Sequence, residues 1–364
     1  MTSAERVAVV GTGLMGTSIA MAAVRAGEAV RGFDADPGAL ARAAERSGLI
    51  PSASLQECVA GATLAFVCTP IPALADLVTR ILRLAPDAIV TDVGSVKTRV
   101  MSDVEAGADP GQLSRYVGGH PMGGSERSGP EHASASVLDG VVWVLSPAPA
   151  VPEATVARLA VWVEKVGARP VPMDPERHDR LVAMVSHLPQ VASTALMGLA
   201  ASEEAGEPEI LLLAAGGFRD LTRLAASSPH LWSDILLANG EAIVRAIDLY
   251  VERLTRLRTL IGEADATEVE RAFGEAKQAR LSLAAKPQVK AGVAVLQVPV
   301  PDRPGVLAEV TATMSDAGVN IEDLQIVHSP EGGRGTVHLT VAADAAQDAE
   351  RALRERWFEP QRLA

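Results

Sequence analysis

The chain is poor in cysteine, with only Cys58 and Cys68 in 364 residues. Their spacing fits no zinc or redox motif, so both read as buried, reduced thiols of a cytoplasmic protein. Positive charge is also scarce: 33 Lys and Arg face 45 Asp and Glu, for a formal net charge of −12 and no basic run. That balance excludes nucleic acid and anionic membrane as main partners. It leaves room for an anionic small substrate, which needs only one or two local arginines. No stretch approaches the roughly 18 uninterrupted apolar residues of a membrane span. The N-terminus lacks a charged region followed by a long apolar core. Its apolar run Val7–Val10 flows straight into glycines, which marks a first strand and not a signal peptide.

What is present is globular: 48% hydrophobic and 21% charged residues, in a chain long enough for two or three domains. Residues 5–173 alternate helical patterns with the short apolar runs Val7–Val10, Val30–Phe33, Leu64–Cys68, Ile89–Val93, Val141–Leu145 and Pro170–Met173. This alternation predicts α/β structure, βαβ units on a mostly parallel sheet. From 174 to 285 strand signals vanish, and apolar residues recur at three- and four-residue spacing, as in Leu231, Ile235, Leu236, Ile243, Ile247, Leu254, Leu257 and Ile261. So sustained a stripe predicts an all-α domain that forms a homodimer. Residues 286–292, with Lys286-Pro287-Gln288, read as a linker. Beyond it, residues 293–364 read as a small α+β domain: a strand Val293–Val300, a helix begun at Pro304, and strands Val319–Val327 and Gly335–Val341 around the loop Pro330–Gly333.

Three loops follow strands, where α/β sheets bind ligands. The first is Gly11-Thr12-Gly13-Leu14-Met15-Gly16, between a strand and an Ala-rich helix, with Asp34 ending the next strand 18 residues after Gly16. Its glycines permit a tight turn and close approach of a pyrophosphate to the helix N-terminus. Residues 1–173 are therefore expected to form a Rossmann-type dinucleotide-binding domain. Asp34 would bind ribose hydroxyls and repel a 2′-phosphate, which favours NAD over NADP. Thr69 and Pro70, after Leu64–Cys68, join the cofactor-binding candidates.

The second loop is Asp92–Lys97, in which Ser95 either bonds a substrate hydroxyl or caps the following helix. The third is Gly118–Gly124, which places His120 among glycines as though something must come close; a surface or satisfied core histidine is the competing reading. A histidine beside a hydride acceptor would oxidise an alcohol. In the helical region His178 and His187 are nine residues apart, which misses the spacing of a helical metal pair; no metal is expected. Arg219 and Arg223, four apart, are placed on one helical face. Arg219 is read as pairing with a nearby acid, while an arginine in the cleft would grip a carboxylate. His132, His230, His328 and His338 are left as structural.

Together, Gly11–Gly16, Thr91–Lys97, Gly118-Gly119-His120-Pro121-Met122-Gly123-Gly124, Ser186-His187-Leu188-Pro189 and Gly217–Arg223 occur in one order. In this the chain resembles the prephenate dehydrogenase family, in the form with a C-terminal ACT domain, over about residues 5–340. The resemblance implies that NAD oxidises prephenate to 4-hydroxyphenylpyruvate, carbon dioxide and NADH. It makes His120 the proton acceptor and Ser95 the group that holds the hydroxyl or the imidazole. It places Arg223 on a substrate carboxylate and Glu126 where it gates or orients the site. Ser186, His187 and the His178-Asp179 pair would line the helical side of the cleft. Gln190 departs from the family pattern, which has a second histidine there, and keeps arogenate open as the alternative substrate. Residues 302–310 and 318–321 resemble an ACT domain, of βαββαβ order, in which Gly305 and Asn320 are the candidates for binding an amino acid effector, tyrosine. A dimerising module without ligand is the alternative there. A non-catalytic sensor of NAD and an amino acid is the rival from outside the enzymes.

Overall fold

Successive residues of a strand face opposite sides of a sheet, and Arg6–Val10 (β1) shows what that does here. Val7 and Val9 enter one hydrophobic core with Leu64, Phe66, Trp143 and Trp162. Ala8 and Val10 enter a second core with Ala65, Val67, Leu74 and Val78. A strand apolar on both faces must lie inside a sheet covered by helices on both sides. The computed structural model describes residues 5–123, 129–204, 206–207, 209–284, 293–301, 303–328 and 334–363, and its larger sheet has that form.

The remaining strands of this sheet are Ala29–Phe33 (β2), Ile50–Pro51 (β3), Leu64–Val67 (β4), Ile89–Asp92 (β5), Tyr116–Pro121 (β6), Val142–Pro147 (β7) and Arg169–Pro172 (β8). They run in the order β3-β2-β1-β4-β5-β6-β7-β8. All neighbours are parallel except β6 and β7. The strand order reverses direction at β1 and β4, which opens a crevice beyond their carboxyl ends. Register aligns Val10 with Phe33 and Val67, and Val67 with Asp92. The segments after β1, β2, β4 and β5 therefore emerge side by side along one edge. They carry Gly11–Gly16, Asp34, Thr69-Pro70 and Ser95.

Two strands depart from the sequence expectation. The two-residue β3 is too short to give a pattern. The third candidate loop begins as a strand: Gly118, Gly119, His120 and Pro121 belong to β6 and pair with Ser146, Leu145, Val144 and Trp143. The glycines admit the protein itself. A Cβ on Gly119 would collide with the Asp92 carbonyl and stand 2.7 Å from Thr91 Oγ1 and 3.0 Å from Trp143 Nε1.

After β8 the chain is helical: Pro175–Val182, a π turn Ala183–His187, Leu188–Glu203, Glu209–Leu212, Gly216–Thr222, Pro229–Ala238, Gly240–Gly262 and Ala266–Ala284. Asp174 caps the first helix by accepting from the Arg177 amide, with Pro175 in the first turn. The run Pro175–Glu203 is, among the described residues, the one helix long and apolar enough to cross a membrane by length and composition. It nevertheless buries His178, Asp179, His187 and Gln190, each hydrogen-bonded within the protein. The chain divides into two compact units, one through Arg253 and one from Leu254.

In the second unit Val293–Pro301 (β9), Ile321–His328 (β10), Arg334–Ala342 (β11) and Gln361–Leu363 (β12) form an antiparallel sheet in the order β10-β11-β9-β12. Helices Val306–Asp316 and Ala346–Glu355 complete the βαββαβ order expected, around a core of Leu296, Val298, Val310, Met314, Leu339 and Leu353. The linker and the loop 330–333 lie outside the described residues.

Candidate active site

The fingerprint loop is shaped by contact with the neighbouring strand. Gly11 has φ +91°, and a Cβ there would stand 2.6 Å from the Cys68 carbonyl oxygen and 2.9 Å from Thr69 Cγ2. A Cβ on Gly16 would collide with the Gly11 carbonyl. Only glycine fits either position. Gly13 caps helix Leu14–Arg25 without a side-chain hydrogen bond, so the first-turn amides of Leu14 to Gly16 face the crevice with the helix's partial positive charge behind them. Asp34 is held in place beside them: its Oδ2 accepts from Thr12 N (2.6 Å) and Thr12 Oγ1 (3.0 Å), and its Oδ1 from Asp36 N (2.9 Å). Thr69 Oγ1 is buried without a hydrogen-bond partner among the described residues. An orphaned buried hydroxyl costs about 1–3 kcal/mol, and this one follows the strand beside the fingerprint loop. The glycine cradle, the uncapped helix, the tethered aspartate and this hydroxyl all fit NAD.

Beneath β6 lies a buried ionic knot. Lys97, with none of its side chain exposed, pairs with Asp92 and donates to the Gly119 carbonyl (2.6 Å). Asp92 also accepts from Tyr116 Oη and from Gly94 N, both at 2.8 Å. Burial, together with this carboxylate, raises the Tyr116 pKa well above 10, so the phenol remains a donor. The knot fixes the carbonyl next to His120. The loop Asp92–Lys97 stood out in the sequence for Ser95, but no role was read for Asp92, Lys97 or Tyr116; a lysine closing the turn after an apolar strand was the available signal.

His120 is half-buried, and its Nδ1 lies 2.8 Å from His178 Nε2. His178 Nδ1 lies 2.8 Å from Asp179 Oδ1. The same carboxylate accepts from the amides of Lys97 and Thr98, both at 2.8 Å. It thereby caps helix Thr98–Gly107 from another segment, so Ser95 is not the cap; Ser95 is half-buried in the loop leading to that helix. Burial alone would raise the Asp179 pKa, but the bonds from His178 and from the two amides outweigh it and hold the carboxyl below its usual range. Burial pushes His120 well below 6.5, reinforced by the repulsion that a protonated His178 would exert, by the ammonium of Lys97 and by the repulsion of a protonated His187. His120 is thus a neutral base at neutral pH.

Ser186 and His187 sit on the π turn, where the helix widens ahead of Pro189. His187 is buried, its Nδ1 3.2 Å from Asn239 Nδ2 and its ring edge-on to Trp232 at 5.9 Å. Burial lowers its pKa to about 4, despite the nearby Asp179. Asn239 also donates to the Asp179 carbonyl (2.9 Å). Gln190 donates to the Leu224 carbonyl (2.8 Å), and Ser193 Oγ accepts from Ala225 N (3.1 Å). Helix Leu188–Glu203 thereby pins the 3-10 turn Arg223–Ala226. Arg223 is exposed at the start of that turn. Helix Gly216–Thr222 ends before it, so Arg219 and Arg223 do not share one α-helical face, contrary to their spacing. Glu126 lies outside the described residues.

In the second unit Gly305 has φ +90° and opens helix Val306–Asp316. It lines a cavity of about 200 Å³ with Pro301, Arg303, Leu307, Ile326 and Gly335. Asn320 is not on that wall; its amide donates to Glu322 (2.8 Å).

Comparison with known proteins agrees with this fold. Residues 19–171 match the family described as prephenate dehydrogenase, nucleotide-binding domain; residues 174–275 match prephenate dehydrogenase, dimerization domain; residues 294–356 match the ACT domain. A prephenate dehydrogenase of Bacillus subtilis is 32% identical over 96% of this chain and 94% of its own length. A cyclohexadienyl dehydrogenase of Zymomonas mobilis is 32% identical over 78% of this chain and 97% of its own. Among solved structures, prephenate dehydrogenase from Aquifex aeolicus in complex with hydroxyphenyl propionate and NAD+ superimposes with a TM-score of 0.72 at 29% identity, covering 77% of this chain and 99% of that one. Synechocystis arogenate dehydrogenase gives 0.67 at 29%, covering 76% and 99%. The chain belongs to the prephenate dehydrogenase family: an NAD-dependent dehydrogenase with a Rossmann-type domain, a helical domain and a C-terminal ACT domain.

Proposed function

We propose that the chain oxidatively decarboxylates prephenate to 4-hydroxyphenylpyruvate and carbon dioxide, in tyrosine biosynthesis. The observation that carries this reading is His120, a neutral base on the carboxyl edge of the sheet that bears the fingerprint, with its Nδ1 committed to His178. Gly11, Gly13, Leu14, Met15, Gly16, Thr69 and Pro70 hold the dinucleotide, and Asp34 takes the ribose hydroxyls. NAD, when bound, supplies the hydride acceptor. His120 removes the proton of the ring hydroxyl, and Ser95 orients that hydroxyl. The carbon bearing that hydroxyl gives up a hydride, loss of the ring carboxylate as carbon dioxide leaves its bonding pair in the ring, which becomes aromatic, and the proton held by His120 returns to the oxygen. Arg223 grips a substrate carboxylate. Ser186 and His187, the latter with its proton on Nε2 because Asn239 donates to Nδ1, bind the far end of the substrate. Gln190 acts on substrate through the turn that carries Arg223, and Glu126 gates or orients the site.

The helical domain makes the homodimer. Tyrosine is the proposed effector, bound at the Gly305 cavity; Asn320, the other candidate, is not part of its wall. The test is NADH absorbance with NAD and prephenate, with arogenate and NADP in parallel. Rapid NADH formation from prephenate is the expected outcome. Turnover of arogenate alone would move the substrate assignment and implicate Gln190. No turnover in any arm, with NAD still bound, would contradict the enzyme reading and favour a sensor.

A further inference from the structure

The hydrogen-bond chain behind His120 determines which of its nitrogens carries the proton. We propose that His178 and Asp179 form a positioning relay that holds His120 in the Nδ1–H tautomer, leaving Nε2 as the proton acceptor. The proposal deepens the dehydrogenase reading, on which its catalytic half rests.

Backbone amides only donate, and two of them, from Lys97 and Thr98, end on the Asp179 carboxylate. Together with the N-terminal end of helix Thr98–Gly107 they stabilise the anion. An ionised carboxylate only accepts. His178 Nδ1, 2.8 Å from Asp179 Oδ1, therefore carries a proton. A neutral imidazole has one N–H, so His178 Nε2 is an acceptor. His120 Nδ1, 2.8 Å away, must donate to it, and Nε2 of His120 is left with its lone pair. His178 and Asp179 are 1% and 4% exposed, so water offers no alternative partner. In the competing arrangement a cationic His178 donates to both neighbours; His120 then carries its proton on Nε2 and is no base. His178 and Asp179 thus act through His120 instead of touching substrate. Asp179 also couples the tautomer to the placement of Ser95, because it caps the helix that the Ser95 loop enters.

The experiment uses the full-length protein labelled with 15N-histidine, the His120 signals being assigned by their loss in His120→Asn. Wild type is expected to show His120 protonated on Nδ1; a proton on Nε2 would overturn the proposal without any variant. Two variants then separate hydrogen bonding from packing. His178→Gln keeps an acceptor for Nδ1–H, whereas His178→Leu does not. In His178→Leu, kcat should fall on the order of 10²-fold, the loss typical of a misplaced catalytic group, with KM for NAD within about threefold and His120 shifted toward the Nε2–H form. His178→Gln should recover kcat to within about tenfold of wild type. Equal losses in the two variants would overturn the relay. Absence of turnover in wild type would overturn the dehydrogenase reading instead, and the tautomer would still be read by NMR.

Discussion

Lys97 carries a positive charge with no solvent contact, and that makes it the residue whose loss should be felt most in the fold. Removing one partner of a buried ion pair strands the other, at about 3–5 kcal/mol. Lys97→Met should therefore lower unfolding free energy by about that amount in urea titration, because Asp92 remains behind with Tyr116 as its main side-chain donor. His187 gives a pH dependence with a definite sign. Folded, it resists protonation down to about pH 4, while unfolded it takes a proton near 6.5. Between these values the unfolded state binds more protons, so stability is complete above about pH 6.5 and is lost as pH falls toward 4, by about 3 kcal/mol. His120 acts in the same direction. The urea midpoint should fall between pH 7.5 and pH 4.5, and His187→Gln should reduce the slope. That Asp34 follows the second strand and meets the fingerprint loop was legible in its local motif. The partners of His120 were not, because His178 is 58 residues away in sequence and Asp179 acts on amides 81 and 82 residues away.

At the scale of elements, spacing was a good guide where a helix continues and a poor one where it stops. Arg219 and Arg223 have the spacing of one face, but Thr222 ends the helix with its hydroxyl bonded to the Phe218 carbonyl (2.7 Å), and Arg223 opens a 3-10 turn. That turn is held by Gln190 and Ser193. Strand β6 was hidden for a related reason. Gly-Gly reads as loop, yet here the missing side chains let the strand press onto Asp92 and Trp143. The strands with β-branched runs were legible because both faces are buried. Arg223→Ala should raise KM for substrate about 10–100-fold, the worth of a charged hydrogen bond of about 1.5–3 kcal/mol, with a smaller effect on KM for NAD. Steady-state kinetics over both substrates reads this directly.

At the scale of the whole molecule, the order of a βαβ region, a helical region and a small α+β region was visible in the changing periodicity of the sequence. What periodicity could not reveal is which helical residues join the sheet in one compact unit, since that depends on contacts such as Asp179 with the helix at Thr98. Helix Gly240–Gly262 exposes Val244, Tyr250, Val251, Leu254 and Ile261 along one side within a single chain. A face so apolar is expected to be covered by a second copy. Sedimentation equilibrium should give a dimer, and Val251→Asp should shift it toward monomer. Tyrosine at the Gly305 cavity should raise the melting temperature, since a ligand that binds the folded state stabilises it; a Gly305→Val variant should lose that response. The most direct test of His120 as the base is NADH formation from prephenate or arogenate by wild type and His120→Asn, with NAD binding followed in both by thermal shift. A loss of about 10²–10⁴-fold with NAD binding retained is expected; full activity in His120→Asn would contradict that role.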